Sequence, residues 1–123
     1  MRLSLSCLPH TWFIDLDGTV LAHNGHRSGN ERILPGVQAF WNTIPPQDLI
    51  VLLSARHESE KEASLQFLRE AGLRFNHALF DLPTGERVLI NDRKPSGLPT
   101  AFSVNLDRDE GMSRLEFAVD PAL

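Results

Sequence analysis

The chain has 123 residues, of which 41% are hydrophobic and 23% charged, a composition that excludes a disordered tail, a collagen-like repeat and a coiled coil. Its 12 Lys and Arg against 16 Asp and Glu give a formal net charge of -4, so there is no basic excess for coating a nucleic acid. The length predicts a single domain over residues 1–123.

Cysteine usage and the apolar runs indicate where the protein resides. Cys7 is the one cysteine, so an internal disulfide and a multi-cysteine zinc site are both excluded, and we expect a cytoplasmic protein. The longest apolar runs, such as Leu49–Leu53, are far shorter than the roughly 20 residues of a membrane helix. Residues 1–9 are too polar for a signal peptide and predict a loosely held start or a first edge segment, while residues 107–123 carry only a weak pattern.

Strand and helix patterns alternate along the chain. Near-continuous apolar runs, typical of strands buried on both faces, occur at Thr11–Leu16, Leu49–Ser54, His77–Phe80, Val88–Asn91 and Ala101–Leu106. One helix is expected between Pro35-Gly36 and Pro45-Pro46, and another over Glu58–Ala71, where Gly72 supplies a stop. This order predicts an α/β fold with a mainly parallel sheet and right-handed crossovers.

Two carboxylates follow the first predicted strand, in Asp15-Leu16-Asp17-Gly18-Thr19. The carboxyl end of a strand is where open α/β sheets bind ligands, and a spacing of two places both aspartates on one face. Such a pair favours a divalent cation, and oxygen ligands favour Mg²⁺. Gly18 permits a turn that directs backbone amides at an anion, although Asp-Gly is also an ordinary turn pair.

Polar residues also follow the second and fourth predicted strands. They are Ser54, Ala55 and Arg56 after the second, and Asn91, Asp92 and Lys94 after the fourth. Parallel strands would bring all of them to the same edge as Asp15, where the hydroxyl and the cations suit a phosphate group. The ordinary alternatives are that Ser54 caps the following helix and that Arg56 and Lys94 are solvated surface charges.

In this order, Asp15–Thr19, Ser54 and Asn91-Asp92 resemble the motifs of the haloacid-dehalogenase-like superfamily. The resemblance covers residues 11 to about 106. It implies a Rossmann-like three-layer sandwich with a five-stranded sheet, and the activity of a Mg²⁺-dependent phosphatase, a phosphomonoester hydrolase.

The resemblance also implies a role for individual residues. Asp15 would be the nucleophile that becomes an aspartyl-phosphate, and Asp17 would be the general acid and base. The implied Mg²⁺ ligands are Asp15, Asp17 and Asp92, with Asn91 as a supporting residue. The implied phosphate-binding residues are Gly18, Thr19, Ser54, Ala55, Arg56 and Lys94.

One departure concerns the catalytic cation. The superfamily usually has a Lys shortly before the fourth strand, and Phe80–Arg87 contains none. We expect Lys94 to reach Asp15 and the phosphate, with Arg56 assisting. Arg87 is the alternative.

No interval of the sequence is long enough for the cap domain that many members of the superfamily carry. The segment between Thr19 and Pro35 can form a flap, in which His23 and His26 are expected in a solvated loop, with substrate contact or metal ligation as alternatives. A capless member is expected to act on a phosphorylated small molecule such as a sugar phosphate, a glycan precursor or a larger molecule, or to form a homo-oligomer. A nucleic acid is disfavoured by the net charge, and no membrane partner is expected.

Two other protein classes stay open. A receiver-type module has a similar size, a parallel sheet and an acidic metal pocket, but it places the phospho-accepting Asp and the acidic pair on different strands. A degenerate hydrolase would keep a phosphate- and Mg²⁺-binding module without catalysis, and the missing mid-chain Lys favours that alternative.

Overall fold

The computed structural model describes residues 1–123 and has an α/β fold. The strands are β1 (Arg2–Leu5), β2 (Thr11–Asp15), β3 (Leu49–Leu53), β4 (His77–Leu79) and β5 (Glu116–Val119). The helices are α1 (Gly25–Ser28), α2 (Val37–Thr43) and α3 (Lys61–Glu70), and a short 3-10 turn, Glu58–Glu60, precedes α3. None of the helices combines the length and the hydropathy needed to cross a bilayer.

The strands form two parallel sheets. The larger has the order β2-β3-β4, and its register places Asp15 beside Leu53, and Leu53 beside Leu79. The chain therefore leaves all three strands at one edge of the sheet. The smaller sheet pairs β1 with β5, so the N-terminal segment is an edge strand, one of the two expected alternatives.

The core lies on both faces of β3. Ile50, Val51 and Leu52 are all buried because β3 is the central strand, which explains a continuous apolar run. Among the residues packed around it are Leu65 and Leu68 of α3. Full burial of such a side chain contributes about 1.5–3 kcal/mol.

An aromatic cluster joins the two sheets. The ring centroids of Trp12 on β2 and Phe117 on β5 are 5.0 Å apart, and those of Phe40 on α2 and Phe117 are 5.9 Å apart. The small sheet is thereby packed against the large one, within the reach over which aromatic pairs attract.

The strands predicted at Val88–Asn91 and Ala101–Leu106 are wrong: both runs are irregular, and no single five-stranded sheet forms. Val88 is 81% and Ile90 89% exposed. The connections that precede these runs, residues 81–87 and 92–100, are shorter than the dozen or more residues of a usual parallel crossover. Because these connections contain no crossover helix, no helical layer covers the two apolar runs.

Candidate functional site

The turn after β2 carries the two aspartates at the carboxyl edge of the large sheet. The amides of Val20 and Leu21 donate hydrogen bonds to the carbonyl of Leu16, and the Gly18 amide donates to the carbonyl of Leu21 at 2.7 Å. Gly18 has φ +83°, a left-handed conformation that favours glycine. The turn holds Asp15 and Asp17 at the expected edge.

Asp15 is held by a hydroxyl and a guanidinium. Thr19 Oγ1 donates to its Oδ2 at 3.1 Å, and Arg87 Nη1 donates to its Oδ1 at 3.2 Å. Burial raises the pKa of Asp15, and the Arg87 charge and the Thr19 hydrogen bond offset that rise only in part. The pKa of Asp15 therefore lies above the ordinary value of an aspartate.

The cation beside Asp15 is Arg87 and not Lys94. The Lys94 amide donates to the carbonyl of Leu98, closing a turn, and the Lys94 ammonium forms no ion pair. The expectation that Lys94 approaches Asp15 therefore differs from the arrangement found. Arg87 reaches the edge because residues 82–87 follow β4 without a strand that would carry them away.

Arg56 is buried between two carboxylates. Its Nε and Nη2 donate to Asp17 at 3.0 and 2.9 Å, and its Nη1 and Nη2 donate to Glu31 at 2.7 and 3.0 Å. Nη1 also donates to Ser64 Oγ on α3, and the side chain is only 2% exposed. All the hydrogen bonds of the guanidinium go to protein groups, so the alternative of a solvated surface charge is wrong, and the expected contact of Arg56 with a phosphate would require it to give up some of these bonds.

The Arg56 contacts determine the state of Asp17. Burial alone would raise the pKa of Asp17, but the hydrogen bonds and charge of Arg56 outweigh it, and the pKa is lowered. Both carboxyl oxygens of Asp17 accept from Arg56. In this arrangement Asp17 is an ionised and oriented group whose two oxygens are both occupied by Arg56.

Glu31 and Glu60 were not singled out by sequence reasoning. Glu31 closes the flap onto Arg56, and His26 Nε2 lies 3.0 Å from Glu60 Oε2, so His26 contacts a carboxylate instead of lying free in a solvated loop. The one feature of the sequence that points to a partner such as Glu31 is Arg56, because an Arg that is buried at a strand end requires carboxylate partners. His23 is exposed as expected.

Ser54 lies under the edge of the sheet. It is fully buried, and its Oγ accepts the Arg56 amide at 3.0 Å. The residue that caps the following helical turn is His57, whose side chain accepts the Ser59 amide, so the alternative that Ser54 caps the following helix is wrong. Ala55 is exposed at the edge. In this arrangement Ala55 lies at the surface of the edge and the Ser54 hydroxyl lies beneath it.

Asn91 and Asp92 lie in a loop that closes on itself. Asn91 Nδ2 donates to the carbonyl and to Oγ1 of Thr100, at 3.3 and 3.0 Å, and Thr100 Oγ1 donates to the Asp92 carbonyl. These contacts hold the loop at Thr100. The Asp92 carboxylate belongs to no group of acidic side chains that could hold a metal ion together with Asp15 and Asp17.

The acidic residues do not form a metal centre as arranged. No group of three or more His, Cys, Asp or Glu side chains is placed to hold a metal ion. The two aspartates at the edge offer the oxygen ligands that Mg²⁺ prefers, but guanidinium groups engage both, and Asp92 does not complete a metal-binding group with them. The expected ligand set therefore does not fit this arrangement.

Comparison with protein-family models, curated proteins and solved structures gives no match for this chain. The resemblance to the haloacid-dehalogenase-like superfamily accordingly rests on the motifs alone.

Proposed function

We propose that the chain is a phosphomonoester hydrolase of the haloacid-dehalogenase-like type, with Asp15 as the nucleophile. The observation that carries this proposal is the position of Asp15 at the carboxyl edge of a parallel sheet, with Thr19 and Arg87 on its two oxygens. Arg87 is 37% exposed, so it lies at the surface of the site, where its guanidinium can contact both Asp15 and an incoming phosphate.

The proposed reaction has two displacements. A carboxylate oxygen of Asp15 attacks phosphorus, the bond from phosphorus to the ester oxygen breaks, and Asp15 carries the phosphoryl group. Water then attacks that phosphorus, and inorganic phosphate leaves as the Asp15 carboxylate is regenerated. Arg87 offsets the negative charge on the phosphoryl oxygens in both steps.

The proton for the leaving oxygen is the demanding part of this reaction. Asp17 is the expected donor, yet it is ionised and held by Arg56. We therefore expect substrates with acidic leaving groups, such as phenols, to react faster than alkyl esters, because they need less protonation.

The expected Mg²⁺ requirement remains a proposal that depends on a finer feature of the fold. Asp92 would lie beside Asp15 if residues 88–91 added to the free edge of β2, where Phe13 is 51% exposed, and so gave a single Rossmann-like sandwich. Residues 81–87 are shorter than a usual parallel crossover, but seven extended residues span roughly 23 Å, and three strand spacings combined with a return along four strand residues amount to about 20 Å. We propose this rearrangement for the Mg²⁺-bound enzyme.

The edge around Asp15 has no cap domain over it, which supports the proposed substrate class. The flap is joined to the fold through Glu31 and Arg56 instead of closing as a separate lid. A phosphorylated small molecule, a glycan precursor or a larger phosphorylated molecule can approach such an edge, and a second copy of the chain could supply additional cover.

Hydrolysis of p-nitrophenyl phosphate by Asp15→Asn tests the assignment of the nucleophile. We expect a loss on the order of 10³-fold or more in kcat with Mg²⁺ present, since the amide cannot form the intermediate. Asp120→Asn, a change of the same kind near the C-terminus, is the control and should retain full activity. Turnover by Asp15→Asn at the wild-type rate would refute the assignment of Asp15 as the nucleophile.

A phosphate-binding module without catalysis is the second candidate, favoured by the double hydrogen bond that holds Asp17 on Arg56. It predicts binding of inorganic phosphate by the wild-type protein with no turnover of any phosphomonoester and no phosphorylated Asp15. Trapping a phosphorylated Asp15 by acid quenching, followed by mass spectrometry, would decide against this candidate.

A further inference from the structure

The turn formed by residues 107–111 is attached directly to the turn that carries the two aspartates. The Asp109 amide donates to the Gly18 carbonyl at 2.9 Å, and Asp109 Oδ1 accepts the His23 amide at 2.8 Å. These bonds join a segment more than eighty residues away in the sequence to both ends of the 18–23 loop.

Arg108 lies across Gly18. A Cβ atom at position 18 would stand 3.1 Å from Arg108 Cγ and 3.6 Å from Arg108 Nε. Glycine at position 18 is favoured by its positive φ, and it also lets the Arg108 side chain approach closely. The packing places the stem of Arg108 against the Asp15–Thr19 motif.

The guanidinium of Arg108 has no partner within the protein. Arg56 is occupied by two carboxylates and Arg87 by Asp15, whereas Arg108 is exposed and forms no ion pair or side-chain hydrogen bond. A guanidinium is a planar fork that suits a carboxylate or a phosphate. Arg87 is already placed at Asp15, where the phosphoryl group would react, whereas the unpaired Arg108 charge is available for a further anion.

We propose that Arg108 binds a second anionic group of the substrate, a carboxylate or a phosphate in addition to the phosphate that is hydrolysed. This inference rests on the proposed function, because it treats the edge beside Asp15 as the place where a phosphomonoester reacts. Arg108 is then a specificity-determining residue, and the preferred substrates carry two anionic groups.

Kinetics with 3-phosphoglycerate and glycerol 3-phosphate test the proposal, because both are three-carbon phosphate esters and only the first has a carboxylate. We expect Arg108→Gln to lower kcat/KM for 3-phosphoglycerate by about 10- to 100-fold, mostly through KM, and that for glycerol 3-phosphate by less than about twofold. Arg108→Lys should recover part of the loss. Arg69→Gln is the control, since Arg69 is in the last turn of α3, at the opposite edge of the sheet.

Calorimetric binding of the same two compounds to Asp15→Asn, with and without Arg108→Gln, separates this inference from the proposed function. If wild-type protein hydrolyses neither compound but Arg108→Gln still weakens 3-phosphoglycerate binding selectively, hydrolysis fails and the Arg108 assignment stands. Equal effects of Arg108→Gln on both compounds, or none on either, would overturn the assignment, and so would a protein that binds neither.

Discussion

Residues 11–81 and residues 82–106 both contain short apolar runs, but only the first region forms sheet. In the first region β3 lies between two partners, and helices cover its faces. In the second, Val88 and Ile90 face solvent because no helix separates the runs or covers them. An apolar run thus becomes a strand when the chain also supplies a pairing edge and a covering layer.

The same contrast divides the candidate site. Asp15, Asp17 and Arg56 are positioned by β2 and β3, whose register places them at one edge. Asp92 and Lys94 belong to the uncovered region and are held only by a local loop. Arg87 is the residue of the second region that forms a hydrogen bond and an ion pair at the site. The site residues that the fold holds in place are therefore those that directly follow the strands of the sheet.

Arg56→Met should have the largest effect, because it removes the buried cation of the first region and leaves Asp17 and Glu31 unpaired. We expect a loss of about 3–5 kcal/mol in the free energy of unfolding, measured by urea denaturation. Arg69→Met, in an exposed ion pair with Glu62, is the control and should cost less than about 1 kcal/mol. Equal losses in the two variants would mean that the Arg56 contacts are not formed in solution.

The same substitution in each region compares the regions directly. Ile50→Ala should lower the free energy of unfolding by about 2–5 kcal/mol, since Ile50 is fully buried in β3. Ile90→Ala should cost less than about 0.5 kcal/mol in protein without Mg²⁺ and substrate. A large loss in Ile90→Ala would show that residues 88–91 are already packed as a strand in the free protein.

A comparison of the activities of Arg87→Ala and Lys94→Ala decides which of the two cations acts beside Asp15. We expect Arg87→Ala to reduce kcat/KM for p-nitrophenyl phosphate by about 10- to 100-fold, because it removes a charge-assisted contact to the reacting group. Lys94→Ala should change it by less than about twofold. The reverse order would restore the expectation made from the sequence.

The sequence predicted β2, β3, α2, α3 and the clustering of Asp15 and Asp17, because each depends on local patterns: apolar runs, Pro and Gly boundaries, and residues that directly follow strands. It gave Arg87 only as the alternative cation for Asp15, and it did not predict that Glu31 reaches Arg56 or that Arg108 crosses Gly18. These contacts join segments that are far apart in the chain, and their geometry follows from tertiary packing. β5 was missed because its pattern is weak and its partner, β1, lies at the other end of the chain.

The smallest expected effect is on the pH dependence of stability. It concerns the edge of the large sheet opposite the candidate site. Asp48, just before β3, accepts hydrogen bonds from Trp12 Nε1 and the His10 amide, and its Oδ2 lies 2.8 Å from His10 Nδ1. Burial alone would raise the pKa of Asp48, but these bonds outweigh it and the pKa is lowered. Ionised Asp48 therefore stabilises the fold fully above about pH 4, and this contribution is lost as the pH falls through the lowered pKa.

Asp48→Asn should cost about 1–3 kcal/mol at pH 6, because one charge-assisted acceptor is lost. Its free energy of unfolding should also fall less steeply between about pH 4 and pH 2 than that of the wild-type protein. Asp17 titrates in the same direction and Asp15 in the opposite one, but both are present in the two proteins, so the difference in slope isolates Asp48. Urea denaturation at each pH measures it, and identical slopes would mean that Asp48 does not titrate with a lowered pKa.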